Sequence, residues 1–143
     1  MTTAEMKQRT RRFGLSMLSF AESLPRSRSG NIIATQAGRS GTSVGANYRA
    51  ACRARSRAEF ASKIGVAEEE ADESAYWIEL AIDAGLVDPT DYADLLSEAE
   101  AITRMLAASR ITAMKRAASQ QSNTRATGRP TNRQSALGNR QSP

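Results

Sequence analysis

The sequence contains no histidine and a single cysteine, Cys52, among 143 residues. The missing imidazole removes the commonest general base, the commonest zinc ligand and every His-based triad. One cysteine cannot close an intrachain disulfide; this fits a reducing compartment, and a cytoplasmic location is expected. Aromatic residues make up only 5% of the chain, so a core has to be assembled from Ala, Leu, Ile, Val and Met. There are four prolines and nine glycines, which leaves room for long helices. No apolar run exceeds a few residues, so no membrane span is expected. The charged start, Met1 to Arg12, is followed by no apolar stretch of the kind a secretory leader needs. Together these absences argue against an enzyme, and no cofactor is expected.

What the chain does have is segregated charge. Its net +5 divides into +8 over residues 1–60, −7 over residues 61–116 and +4 over residues 117–143. Such asymmetry points to a bipolar surface rather than a uniformly basic one. The last block is Ser, Gln, Asn, Thr, Gly and Arg with almost nothing large and apolar. It cannot bury enough surface to offset its chain entropy, so disorder is expected there. Two readings stay open for its Arg125, Arg129, Arg133 and Arg140: contact with nucleic acid, or a solvated tail.

Residues 1–116 read as four helices. Over Ala4 to Ser23, the residues Met6, Thr10, Phe13, Met17, Phe20 and Leu24 alternate spacings of four and three, which places them on one face. Thr3 is the expected N-cap, and Leu24-Pro25 the expected stop. The second helix, about Asn31 to Cys52, keeps the same spacing with smaller and more polar residues: Ile33, Ala37, Ser40, Val44, Asn47 and Ala51. It also contains Gly38, Gly41 and Gly45. Each glycine costs about 1 kcal/mol against alanine in a helix interior. The spacing stays in phase across all three, so a continuous or slightly bent helix that gains close backbone approach to a neighbour is expected; the alternative is a helix broken near Gly41.

Ser56 and Glu59 form a Ser-x-x-Glu capping signature ahead of the third stripe: Phe60, Ile64, Ala67, Ala71, Ala75, Ile78 and Ile82. Gly85 then suits a left-handed C-terminal cap. Asp88 as N-cap and Pro89 at the first helical position open the fourth helix, with the stripe Tyr92, Leu95, Ala99, Ile102, Leu106, Ser109 and Ala113. Lys115 and Arg116 suit its C-terminus. The expected fold is all-α: an up-down-up-down four-helix bundle over residues 1–116 with a disordered tail over residues 117–143.

Two clusters could carry chemistry. The acidic run Glu68 to Glu73 invites a di-metal reading, but that site needs Glu-x-x-His from two helices, and no metal site is expected. The basic cluster Arg49, Arg53, Arg55 and Arg57 straddles the second turn. The planar guanidinium fork matches phosphate, and Arg26, Arg28 and Arg39 are candidates to extend the cluster. One reading is a salt-sensitive, sequence-independent nucleic-acid surface, joined by Arg125 and Arg129. The other is charge matching to the acidic third helix of a neighbouring chain. Ser40 and Asn47, polar residues on an apolar seam, are candidates for fixing register or oligomer state. Tyr76 and Trp77 lie off the main seam, as an oligomer interface or as the edge of a wide core.

The pattern Gln36-Ala-Gly-Arg39-x-x-x-Ser43-Val44-x-x-Asn47-Tyr48-x-Ala-Ala51 continues through Arg55-Ser-Arg-Ala-Glu-Phe60. It then runs through Lys63-Ile-Gly-x-Ala67-x-Glu-Glu-Ala-Asp-Glu-Ser74-x-Tyr76-Trp77-x-Glu79-Leu80 to Ala84-Gly85-Leu86. This pattern resembles the four helix bundle proteins also called 23S rRNA-intervening-sequence proteins, over roughly residues 10 to 116. Arg39, Ser43, Asn47 and Phe60 match family positions. Ala50-Ala51 stand where the family usually has a Glu-Gly pair, and Ala37 where it has a larger apolar residue. The resemblance implies an up-down bundle that assembles as a ring, commonly a homopentamer. A similar protein is the accessory subunit of diversity-generating retroelements, which binds a reverse transcriptase and nucleic acid. The expected partners are therefore a second copy of the chain, nucleic acid (RNA above all) and a protein partner.

Overall fold

The structure, a computed structural model, describes residues 1–128 as four helices: α1 (Thr3–Ser23), α2 (Arg28–Ala51), α3 (Arg57–Asp83) and α4 (Pro89–Thr127). Residues 129–143 of the expected disordered segment, with Arg129, Arg133 and Arg140, lie outside the described residues. No strand occurs among the described residues, and no described helix is long and apolar enough to cross a membrane.

Each helix begins where a side chain can satisfy its free N–H groups. The cap of α1 is Thr2, not Thr3. Its hydroxyl accepts from the Glu5 N–H at 3.1 Å, and the Glu5 carboxylate accepts from the Thr2 N–H at 2.6 Å. That reciprocal pair needs a carboxylate three residues on, and only Thr2 has one. Ser27 caps α2 by accepting from the Gly30 N–H at 3.1 Å, so α2 starts before the expected Asn31. The chain folds back so tightly here that a Cβ on Gly30 would sit 1.9 Å from the Pro25 carbonyl oxygen. Ser56 caps α3 as expected, accepting from the Glu59 N–H at 3.0 Å, while the Glu59 carboxylate takes the Arg55 N–H at 2.9 Å. The end of α3 has paired closing bonds, Leu86 N–H to Ala81 O and Gly85 N–H to Ile82 O, both 3.0 Å, with Gly85 at φ +71°. Asp88 caps α4 through the Thr90 N–H at 2.9 Å, with Pro89 in the first turn.

The expected end of α4 near Arg116 is wrong, and so is the expected start of disorder at residue 117. The helix continues through residues 117–127, almost entirely exposed. No proline or glycine interrupts it before Gly128, and the hydroxyls of Ser119, Thr124 and Thr127 bond back to carbonyls four residues earlier. Lys115 and Arg116 therefore lie inside the helix, not at its end.

Helices α1 and α2, α2 and α3, and α3 and α4 pack along their lengths, while α1 meets α4 over a smaller area. There the Arg9 guanidinium donates to Glu98 at 3.1 Å. The Tyr92 hydroxyl donates to Ser23 at 2.6 Å, and the Phe20 and Tyr92 rings meet edge to face at 5.0 Å. The end of α1 thus lies beside the start of α4, as an up-down-up-down order requires.

All six expected face residues of α1 are buried. On α2, Ile33, Ala37, Ser40, Val44 and Ala51 are buried, but Asn47 is half-buried and Tyr48 takes its place in the core. On α3, Ala61, Ser74 and Ala81 widen the buried stripe, while Phe60 and Ile82 sit at its edge. On α4, Ala99, Ile102, Leu106 and Ala113 are buried, and Ser109 is exposed, contrary to expectation. Two of the three α2 glycines, Gly41 and Gly45, permit the close approach expected of a glycine-bearing helix; Gly38 does not meet one. A Cβ on Gly41 would fall 2.3 Å from Met17 Cβ, and one on Gly45 would fall 3.3 Å from the Thr10 carbonyl.

Burial, and secondarily the Cys52 thiol beside it, raises the Tyr48 pKa above the ordinary tyrosine value. A group whose pKa is higher folded than unfolded gives its full stability below the unfolded value, near 10, and loses it as pH rises through the folded value. Melting temperature is therefore expected to fall more steeply above about pH 10 in the parent chain than in Tyr48→Phe. Parallel melts from neutral pH upward measure this, and identical alkaline profiles would contradict it.

Candidate nucleic-acid interface

The basic residues were expected to collect at the turn between α2 and α3, and most do. The turn is short because Ser56 restarts a helix soon after α2 ends at Ala51. Arg49 on the last turn of α2, Arg53 and Arg55 in the link, and Lys63 on α3 line one open cleft of about 490 Å³. The carboxylate lining it is Glu59, already held by the Arg55 N–H. The sequence reading missed Lys63; its position two turns into α3, next to the link, was the available signal.

Arg57 and Arg125 also come together. They line a second cleft with Ser56, Gln120, Gln121 and Thr124, between the start of α3 and the final turns of α4. This juxtaposition exists only because α4 continues past Arg116, and it places Arg125 on a helix rather than on a free tail. Arg57 also borders a third cleft with Phe60 and Arg116. Lys7 and Arg11 lie with Arg49 along the groove between α1 and α2. The up-down order thus gathers the start of α1, the α2–α3 turn and the end of α4 at one end of the bundle. Lys7, Arg11, Arg49, Arg53, Arg55 and Arg57 of the +8 block share that end with Arg116 and Arg125 of α4. Asp83, Asp88, Asp91 and Asp94 gather at the other.

Three expected contributors do not join the cluster. Arg26 and Arg28 sit at the α1–α2 turn, the opposite end of the bundle. Arg39 lies midway along α2 and faces α3, where it binds two carboxylates: Nη1 meets Glu70 at 3.1 Å and Nη2 meets Glu73. These bonds hold the Glu73 carboxyl below the usual carboxylate range and raise the Arg39 pKa. Arg39 is therefore an internal ion-pair partner rather than a free cation. Exposed as it is, the cluster adds little to stability.

Three of the five acids in the run Glu68 to Glu73 are paired within the chain. Glu68 accepts from Arg110 Nε at 2.6 Å, and Glu70 and Glu73 take Arg39. Among the described residues, no three His, Cys, Asp or Glu side chains gather as a metal site requires.

The four expected interface residues separate. Ser40 is fully buried and accepts from the Ser74 hydroxyl on α3 at 3.0 Å. It joins α2 to α3 within one chain and is not on a surface that a second copy could reach. Asn47 is half-buried, its amide donating to the Ser43 carbonyl of its own helix at 2.8 Å. Trp77 packs on the core edge and donates to Glu73 at 3.2 Å. Tyr76 meets the Trp77 ring edge to face and is 53% exposed. Of the four, only Tyr76 presents a large surface.

A comparison with curated proteins gave no match. A crystal structure of a protein of unknown function from the S23 ribosomal protein family of Bacteroides thetaiotaomicron superposes with a TM-score of 0.71. It has 30% sequence identity and covers 77% of this chain and 98% of its own. The model of the family described as 23S rRNA-intervening sequence protein matches residues 2–108, from the α1 cap to the middle of α4. The chain belongs to the 23S rRNA-intervening sequence protein family.

Proposed function

We propose that the chain is a non-enzymatic, self-assembling helical-bundle protein that binds nucleic acid, RNA first, through phosphate contacts at its basic end. The observation that carries this reading is the convergence of Arg49, Arg53, Arg55 and Lys63 on one cleft, with Arg57 and Arg125 beside it. Guanidinium forks suit phosphate oxygens and carry no base information. The binding is therefore sequence-tolerant and salt-sensitive. Self-assembly, as the five-copy ring that the family resemblance implies, belongs to the same reading. A ring would bring several basic ends together and raise affinity through multivalency.

The test is fluorescence anisotropy of a labelled RNA hairpin across a salt series. The parent chain is expected to bind, with log K falling linearly against log salt. Arg53→Glu with Arg55→Glu is expected to weaken binding at least tenfold and to reduce that slope by about two. Light scattering on a sizing column, with absorbance at 260 and 280 nm, measures the assembly. A nucleic-acid-free oligomer that binds no RNA at low salt would overturn the RNA reading in favour of a protein-interaction scaffold.

A further inference from the structure

Beyond Glu59 at its cap, the carboxylates of α3 fall into three rows. Glu68 turns to Arg110 on α4, and Glu70 and Glu73 turn to Arg39 on α2. The third row, Glu69, Asp72, Glu79 and Asp83, follows spacings of three, seven and four and faces outward. Among the described residues none of these four forms an ion pair. Val66 and Tyr76 lie in the same row, 42% and 53% exposed. This face thus combines unpaired negative charge with two large apolar side chains.

The groove between α1 and α2 is its complement. Leu15 and Leu18, 56% and 45% exposed, border a cleft of about 480 Å³ with Lys7, Arg11 and Arg49. Gly14 and Gly45 line the same cleft and leave room between the helices. No carboxylate lines it. Lys7, Arg11 and Arg49 form no ion pair among the described residues.

We propose that the outward row of α3 in one copy docks into the α1–α2 groove of a second copy. Tyr76 would lie against Leu15 and Leu18, and Asp72 and Glu69, one and two turns before it on α3, would meet Arg11 and Lys7, which precede the leucines on α1. The two faces differ, so the contact is head-to-tail, and every copy offers one of each. Such a contact closes into a ring or runs on as a filament. The opposed charges fix partner choice and speed encounter, and they make assembly weaken as salt rises. This inference rests on the self-assembly part of the proposed function and adds which surfaces meet. It leaves Arg53 and Arg55 free.

The test is the solution mass, by light scattering, of four chains: the parent, Lys7→Glu/Arg11→Glu, Glu69→Lys/Asp72→Lys, and the variant carrying all four changes. All four positions are exposed, and far-UV circular dichroism verifies that each chain remains helical. The parent is expected to be oligomeric and each two-site variant to fall to monomer. The four-site variant is expected to return to the parent mass, because its reversed charges match again. Two-site variants that keep the parent mass, or a four-site variant that stays monomeric, would overturn the docking while leaving self-assembly intact. A monomeric parent would overturn self-assembly itself, and the docking with it.

Discussion

Replacing Ile78 by aspartate is expected to unfold the bundle. Ile78 is fully buried, on the face of α3 that carries Ala71, Ala75 and Ala81 into the shared core. Removing the side chain's packing alone costs about 2–5 kcal/mol. A carboxylate placed there has no cation to meet, because Arg39 and Arg110 are engaged with Glu70, Glu73 and Glu68 on other faces of the helix. Burying it ionised adds several kcal/mol more. The sum reaches the whole stability of an ordinary domain, about 5–15 kcal/mol. The far-UV circular dichroism of Ile78→Asp should therefore lose most of its helical signal at room temperature. Two controls isolate the cause. Ile78→Val should cost only about 1 kcal/mol, and Glu79→Ala, at the exposed neighbouring position, should stay within about 0.5 kcal/mol of the parent. Acid should partly restore Ile78→Asp, because desolvation raises the pKa of a buried carboxyl and the neutral acid is cheaper to bury. An Ile78→Asp chain that melts like the parent would show that α3 presents a different face to the core.

The stripe of α1 was legible because five of its six members are large and apolar and hold one helical phase, although Leu15 and Leu18 lie outside it. That of α2 was legible for a weaker reason. Its residues are small, but their spacing stays in phase across three glycines, and one continuous helix results. Asn47 and Tyr48 show the limit of that argument: neighbouring positions differ by about 100° around the helix, and the larger ring occupies the core. The length of α4 was not legible. Its final turns bury nothing, so composition reads them as disordered; the missing glycine and proline were the weaker, opposing signal. The candidate site was half legible. Clustering along the sequence located Arg49, Arg53, Arg55 and Arg57, since they flank one turn. The pairing of Arg39 with Glu70 and Glu73, of Ser40 with Ser74, and of Arg57 with Arg125 crosses between helices. Such contacts depend on the register of packed helices, which one-dimensional spacing does not contain.

That register is set in part by glycine, and the glycines separate in an experiment. Gly38→Ala, Gly41→Ala and Gly45→Ala make the same chemical change within a single helix, and on propensity alone each should stabilise by up to about 1 kcal/mol. Packing breaks this equivalence. At Gly38 the nearest atom to a new Cβ is Leu18 Cδ2 at 3.9 Å, an ordinary contact, so Gly38→Ala is expected to raise the melting temperature. At Gly45 the new methyl would lie 3.3 Å from the Thr10 carbonyl carbon and oxygen, backbone that cannot swing aside. The strain there offsets the propensity gain, and the net change should be near zero or unfavourable. At Gly41 the methyl would fall 2.3 Å from Met17 Cβ and 2.4 Å from its Cγ, the root of the side chain rather than its flexible end. Since Met17 is fully buried, relief requires α1 and α2 to move apart. Overpacking of this kind costs about 1–3 kcal/mol, or a melting temperature lower by roughly 3–12 °C for a domain of this size. Urea titrations at one fixed protein concentration, which holds any assembly term constant, should rank Gly38→Ala above the parent and Gly41→Ala well below it. A Gly41→Ala chain as stable as Gly38→Ala would mean that α1 and α2 do not approach at Gly41. The groove bordered by Leu15 and Leu18 would then have a different shape, because the same close approach sets its depth.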